Sequence, residues 1–282
     1  MSQLELNQVR NSDAAASHWN GLYKVGSAAA LVAVLIFRRW LGVEFLLFRR
    51  IGIIRVGPRA MPNTVLDWFM LLHAHRLIGL TLLNAFDMVN YVLVGLIFLG
   101  LYAALRRTSR SSMTLALALC FVGIAVYLAS NPAFSMLTLS DQYAAATTDA
   151  QRSMLLAAGQ ALLALHNPNV LGQATLSFFL VTLAGLIIST AMLSSRVFSK
   201  GTAYTGILAN VFGLGYPLGV ALAPSTVVLA LVALSLSVSA CFLVIWYLLI
   251  AHRLFQLGRS GPEGRMQGEP ATRRSGLNQQ MR

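Results

Sequence analysis

Between Lys200 and His252 the chain carries no charged residue, and Ala223-Pro224-Ser225 interrupts this run near its middle. A helix of about 20 apolar residues crosses a hydrocarbon core of ~30 Å, so this one stretch is long enough to cross twice. Comparable segments precede it, and they define an all-α polytopic bundle. Composition agrees: 57% of residues are hydrophobic and 11% charged, against about 25% charged in soluble domains. The net charge of +12 would suggest nucleic acid in a soluble protein. Here the arginines flank apolar runs, where they meet anionic headgroups and set orientation. The expected partner is therefore the lipid bilayer, not nucleic acid. Cys120 and Cys241 both lie in apolar runs and read as small core residues rather than a disulfide or metal site.

Residues 1–20 are polar and expected to be flexible, with no basic n-region of a signal peptide. Residues 21–257 form the predicted bundle, and 258–282 read as a disordered basic tail. Six spans are expected: 21–37, 87–105, 113–130, 170–194, 204–222 and 226–251. Lys24 can snorkel at the start of the first, and Arg38-Arg39 stops it. Asn131-Pro132 ends the third, because proline disfavours helix at the preceding residue. The segment 133–166 reads as mostly polar. Its second half, 148–165, has the apolar spacing of a surface helix, with Thr147-Thr148-Asp149 as an N-cap.

After Arg38-Arg39 the segment 40–62 adds Glu44, Arg49, Arg50, Arg55 and Arg59 and is too interrupted to span. It reads as interfacial. Residues 65–86 are apolar at helical spacing but contain Asp67, His73, His75 and Arg76. Positive charge marks the cytoplasmic side. Arg106, Arg107, Arg110, Arg196, Lys200 and the six arginines after the last span fit six spans with both termini cytoplasmic, in a multi-pass protein of the inner (plasma) membrane. The arginine-rich 38–59 region then lies outside. A seventh span over 65–86 would remove that conflict, at the cost of placing charges in lipid, ~2.5–3.5 kcal/mol for each one near the centre.

The order of features resembles a family of bacterial six-helix membrane proteins catalogued only as a domain of unknown function. The residues carrying the resemblance are Arg76-Leu77-Ile78-Gly79-Leu80, Asp87-Met88-Val89-Asn90, Leu105-Arg106-Arg107, Ser130-Asn131-Pro132-Ala133-Phe134 and Ser140-Asp141-Gln142-Tyr143-Ala144. Ser195-Arg196-Val197-Phe198, Tyr204-Thr205-Gly206-Ile207-Leu208 and Ile245-Trp246-Tyr247 add to it. The resemblance implies six spans and a long second helix beginning near Arg76. It implies no activity, and the 38–59 region departs from the family pattern.

Several polar groups are candidates for function. Asp87 and Asn90 are three apart, so they share a helix face, and Asn84 lies on the same stripe. An ionisable residue inside a span is a functional hypothesis by default. Against it stands a residue at the water boundary or paired with an outer arginine. Asn131, Asp141 and Tyr143 belong to the outer connection, where they line a vestibule or merely close turns. Gly215 and Gly219 form a Gly-x-x-x-Gly pair around Pro217, which reads as close packing or a kinked gate. Ser235, Ser237 and Ser239 alternate and do not form one stripe. His73 and His75 form a His-x-His pair. With Asp87 or His166 they would make the metal centre of a membrane hydrolase. As interfacial histidines they need no metal. No serine-hydrolase, zincin, P-loop, Rossmann or haem-attachment motif occurs. The leading expectation is a non-enzymatic membrane protein, a small transporter-like or accessory component without a cofactor. The alternative is the metal-dependent hydrolase.

Overall fold

The computed structural model describes residues 19–37, 62–165, 172–222 and 226–259. Among them every regular element is a helix: α1 (Trp19–Phe37), α2 (Val65–Ala74), α3 (Arg76–Leu82), α4 (Ala85–Leu105), α5 (Arg110–Ser130), α6 (Ala133–Ala145), α7 (Asp149–Leu165), α8 (Gln173–Leu193), α9 (Lys200–Leu222) and α10 (Thr226–Arg259). The helical state follows from where the chain's polar backbone must go. In a lipid-facing segment only a helix satisfies its own N–H and C=O groups. Five helical stretches are long and apolar enough to cross a membrane: Trp19–Phe37, Ala85–Leu105, Arg110–Ala145, Gln173–Leu193 and Ala230–Arg259. The last of these belongs to α10, and the third joins α5 and α6 across Asn131-Pro132. Helix α9 has 23 residues and runs against both α8 and α10.

The helices sort their ends by charge. The guanidinium of Arg106, at the end of α4, lies 3.7 Å over the ring of Trp19 at the start of α1. Tyr23 Oη donates to Ala103 O at 3.4 Å. Gly26 and Gly100 let α1 and α4 approach so closely that a Cβ on Gly26 would sit 3.1 Å from Gly100 Cα and 3.2 Å from Leu254. Arg253 Nε donates to Val197 O in the α8–α9 connection at 2.6 Å. One end therefore gathers Arg106, Arg107, Arg110, Arg196, Lys200, Arg253 and Arg259, with Lys24 close by. The starts of α4 and α8 and the end of α5 lie at the other. Between the two ends the core is built from α1, α4, α5, α8, α9 and α10, with Ile97, Leu101, Met113, Ile188, Trp246 and Ile250 fully buried.

A second, smaller core lies at the end opposite the arginines. Val65, Phe69, Leu72, Leu83, Met136 and Leu155 join α2, α3, α6 and α7 into a layer. Ser140 Oγ donates to Phe69 O at 2.8 Å. Gly159 of α7 sits against Val65 and Phe69 with no room for a side chain. This layer bears on the seven-span alternative, which takes 65–86 as one crossing helix. Residues 65–86 do not form one long helix: α2 has ten residues and α3 seven, about 15 Å and about 10 Å at 1.5 Å per residue. The chain breaks at His75, with φ −141° and ψ 72°, and again at Asn84, whose φ of 58° is left-handed. A capping box starts α2: Asp67 N donates to Thr64 Oγ1 and Thr64 N to Asp67 Oδ2, at 3.1 and 3.0 Å.

Two other expectations change. The segment after Asn131-Pro132, read as mostly polar, is helix α6, so the proline marks a corner rather than a loop. Its apolar residues Ala133 and Met136 are buried. Helix α7 forms where the spacing predicts it, and Gln151 N donates to Thr148 Oγ1 at 3.3 Å. Helix α10 continues to Arg259, beyond its expected end at residue 251, because Leu254 still has α1 and α4 to pack against. His252 and Arg253 thus lie inside the helix, not at its terminus. Segments 1–18 and 260–282, the arginine-rich 38–61, and His166 lie outside the described residues.

A polar cluster at the start of helix α4

The candidate stripe Asn84, Asp87 and Asn90 is the start of α4, and each member has a different fate. Asn84 is the N-cap. Its left-handed backbone turns the chain from α3 into α4, a conformation that asparagine tolerates better than most residues. Its carbonyl, not its side chain, joins the cluster: Asn131 Nδ2 donates to it at 3.3 Å and Tyr127 Oη at 3.5 Å. Asp87, in the first turn, has the Tyr127 hydroxyl within hydrogen-bond reach. No Lys, Arg or His among the described residues forms an ion pair with it. Asn90, one turn on, has a buried Oδ1 with no hydrogen-bond partner.

Helix α5 supplies the facing side. Tyr127 and Asn131 are four apart and share a face. The Asn131 amide is fully used: Nδ2 donates to Tyr127 Oη at 3.3 Å as well as to Asn84 O, and Oδ1 accepts from Ala133 N at 3.0 Å. Asn131 therefore fixes the α5–α6 corner to the α3–α4 turn, which explains its burial. The ring of Tyr127 stacks on Tyr91, centroids 3.9 Å apart. Tyr91 in turn reaches Ser177 of α8, whose Oγ donates to Gly123 O at 2.7 Å. Tyr216 of α9 and Cys120 of α5 lie near Tyr91. Tyr127 thus meets the carboxyl group directly, and Tyr91 links it to Ser177, Tyr216 and Cys120 on α8, α9 and α5. Acid, phenols and amides in this arrangement can hold a proton or a small cation. They supply no activated nucleophile.

Two further candidates, Asp141 and Tyr143, tie α6 to its neighbours. Asp141 of α6 accepts from Arg76 Nη2 of α3 at 2.9 Å, and both side chains are substantially exposed. Tyr143 packs its ring 5.5 Å from that of Phe69. His73 and His75 are exposed, and among the described residues no three His, Cys, Asp or Glu side chains come together as a metal group.

The glycines of α9 meet small or polar side chains of α8 and α10. Gly206 has no space for a Cβ between Ser189 Oγ and the Trp246 indole, and Gly219 none beside Val232; Gly185 of α8 has none beside Asn210 of α9. Gly215 lies under Ser235, which donates to Phe212 O at 2.5 Å. Ser239 donates to Ala209 O at 2.7 Å. Ser235 and Ser239 are thus one α9-facing pair, four apart. Ser237, which bonds back to Ala233 O of its own helix, lies off it. Gly215 and Gly219 serve close packing around the buried Pro217.

Tyr91, Tyr127 and Ser177 were missed by reading the sequence for charge. Tyr91 lies four residues after Asp87 and Tyr127 four before Asn131, so helical spacing from each polar candidate was the available signal. Comparison with family models, with curated proteins and with solved structures gives no match for this chain.

Proposed function

We propose that this chain is a six-span integral membrane protein of the inner (plasma) membrane, with both termini cytoplasmic. In this reading α1, α4, α5, α8, α9 and α10 are the spans, and α2, α3, α6 and α7 form an external layer. It acts as a small transporter-like or accessory component through the polar cluster beneath that layer. The observation that carries the reading is the segregation of charge among the described residues, and the six arginines of 38–59 run against it. Arg106, Arg107, Arg110, Arg196, Lys200, Arg253 and Arg259 gather at one end, as cytoplasmic loops require, and Asp87 lies toward the other. Close packing of α9 between α8 and α10 supports counting it as the sixth span. The resemblance to the six-helix family of unknown function belongs to the same proposal. No observation favours the metal-dependent hydrolase.

Reporter fusions test this reading. Fusions after Arg10, Arg110 and Gly258 are expected to report a cytoplasmic position, and those after Pro62 and Thr148 an external one. A cytoplasmic report at Pro62 would overturn it.

A further inference from the structure

We infer that Asp87, with Tyr127 and Asn90, forms a binding site for one small monovalent cation, H⁺ or Na⁺, near the end of the bundle opposite the arginines. This deepens the transporter-like reading and rests on it for the side from which the ion enters. Binding itself requires only the cluster.

Two acceptors on α4 lack the partners that burial calls for. A carboxylate inside a span is costly unless it is paired. Asp87 has no cationic partner among the described residues. The ionisable neighbours are neutral groups: Tyr91 on its own helix, Tyr127 on α5, and then Cys120 and Tyr216 around Tyr91. Ser177 is what α8 contributes. The cation nearest in sequence, Arg76 of α3, is held by Asp141 of α6. One turn further along α4, Asn90 Oδ1 is buried and accepts nothing. Buried acceptors are nearly always satisfied. An unpaired carboxylate and an unsatisfied carbonyl oxygen on one helix face therefore call for a species with positive charge or donor protons.

The hydrogen bonds around Tyr127 fit a site that both fills and empties. The phenol has one proton and two acceptors, the Asp87 carboxylate and Asn84 O at 3.5 Å. With Asp87 ionised, Tyr127 donates to the carboxylate. When Asp87 takes a proton, its new O–H donates to the phenolic oxygen and the phenolic proton turns to Asn84 O. Every hydrogen bond of Tyr127 has a partner in either state, and Asn90 Oδ1 gains one only from a bound cation. Asn131 Nδ2 donates to Tyr127 Oη and holds that oxygen in place throughout. With Na⁺ instead, the carboxylate, the phenolic oxygen and Asn90 Oδ1 are all hard oxygen ligands, suited to an alkali cation. Asn131 is not a ligand, because both ends of its amide are committed.

The test uses the purified full-length protein in detergent. Melting temperature is followed as Na⁺ replaces choline at constant ionic strength, and the infrared C=O band of protonated carboxyl groups is followed as pH changes. In the sodium arm, Na⁺ raises the wild-type melting temperature, and Asp87→Asn weakens the apparent affinity by about tenfold or more, the scale of one lost charge-assisted contact. In the proton arm, Na⁺ has no effect, and a pH-dependent carboxyl band is present in the wild type and absent from Asp87→Asn. Asn90→Ala keeps the carboxyl, so it weakens sodium binding in the first arm and preserves the band in the second. It serves if Asp87→Asn does not fold. A wild-type protein with neither response, or responses unchanged in both variants, overturns the site. These measurements do not depend on the number of spans, so their failure is distinguishable from a failed topology.

Discussion

Tyr91 and Tyr127 lie ring on ring, with centroids 3.9 Å apart and planes 7° from parallel. One comes from α4 and the other from α5, so the stack joins the helix that carries Asp87 to the helix that carries Asn131. Aromatic pairs contribute about 0.5–1.5 kcal/mol beyond the area they bury. Tyr127→Phe keeps the stack and removes the hydroxyl shared by Asp87, Asn84 and Asn131. The expected loss is about 1 kcal/mol, the usual net worth of a hydrogen bond. Tyr127→Ala removes both and should cost about 3–5 kcal/mol. Thermal unfolding of the two variants in detergent checks the order.

Gly206→Ala is expected to destabilise by about 1–3 kcal/mol, because its Cβ would meet Ser189 and Trp246, both buried. Gly21→Ala is the control. Nothing lies within 4 Å of its Cβ position, and its effect should stay within about 0.5 kcal/mol. Equal melting temperatures for the two variants would show that the α8–α9–α10 seam is looser than described.

Ser239→Ala removes an interhelical hydrogen bond to Ala209 O, and such bonds inside membranes average about 0.6 kcal/mol. Ser237→Ala removes only a bond to its own helix from an exposed position. The first is expected to lower the melting temperature and the second to leave it unchanged.

The Asp67 carboxylate, outside the spans, is held below the usual carboxylate range by hydrogen bonds from the Thr64 side chain and backbone. A lowered folded value means that the group stabilises α2 above its unfolded value and loses that contribution as pH falls through the folded one. Hydrogen exchange should show the first turn of α2 opening on acidification. Asp67→Asn should abolish that pH dependence.

Much of the bundle was legible because its cause is local in sequence. Asp87 and Arg106-Arg107 bound one apolar run and Arg110 opens the next, so the starts of α4 and α5 fall within a few residues of their expected positions. What could not be read is what tertiary contact decides. Residues 65–86 have span-like composition, yet Phe69 and Leu72 find partners in α6 and α7, which favours two short helices in a layer. Leu254 extends α10 because it meets Gly26 and Gly100, glycines some 230 and 150 residues distant along the chain. At the site, Asp87 and Asn90 stood out because polar residues in apolar runs are conspicuous. Tyr91 and Tyr127 did not, since tyrosine suits an apolar helix whether or not its hydroxyl has a task.

The proposed topology puts residues 65–83 on the face of the membrane opposite Arg106 and Arg107. In a background carrying Cys120→Ala and Cys241→Ala, His75→Cys and Arg107→Cys each place one thiol at an exposed position. Labelling with a membrane-impermeant maleimide on intact spheroplasts is the direct measurement. The account predicts that His75→Cys labels at once and Arg107→Cys only after permeabilisation. Labelling of His75→Cys only after permeabilisation, or of both from the same side, would contradict it.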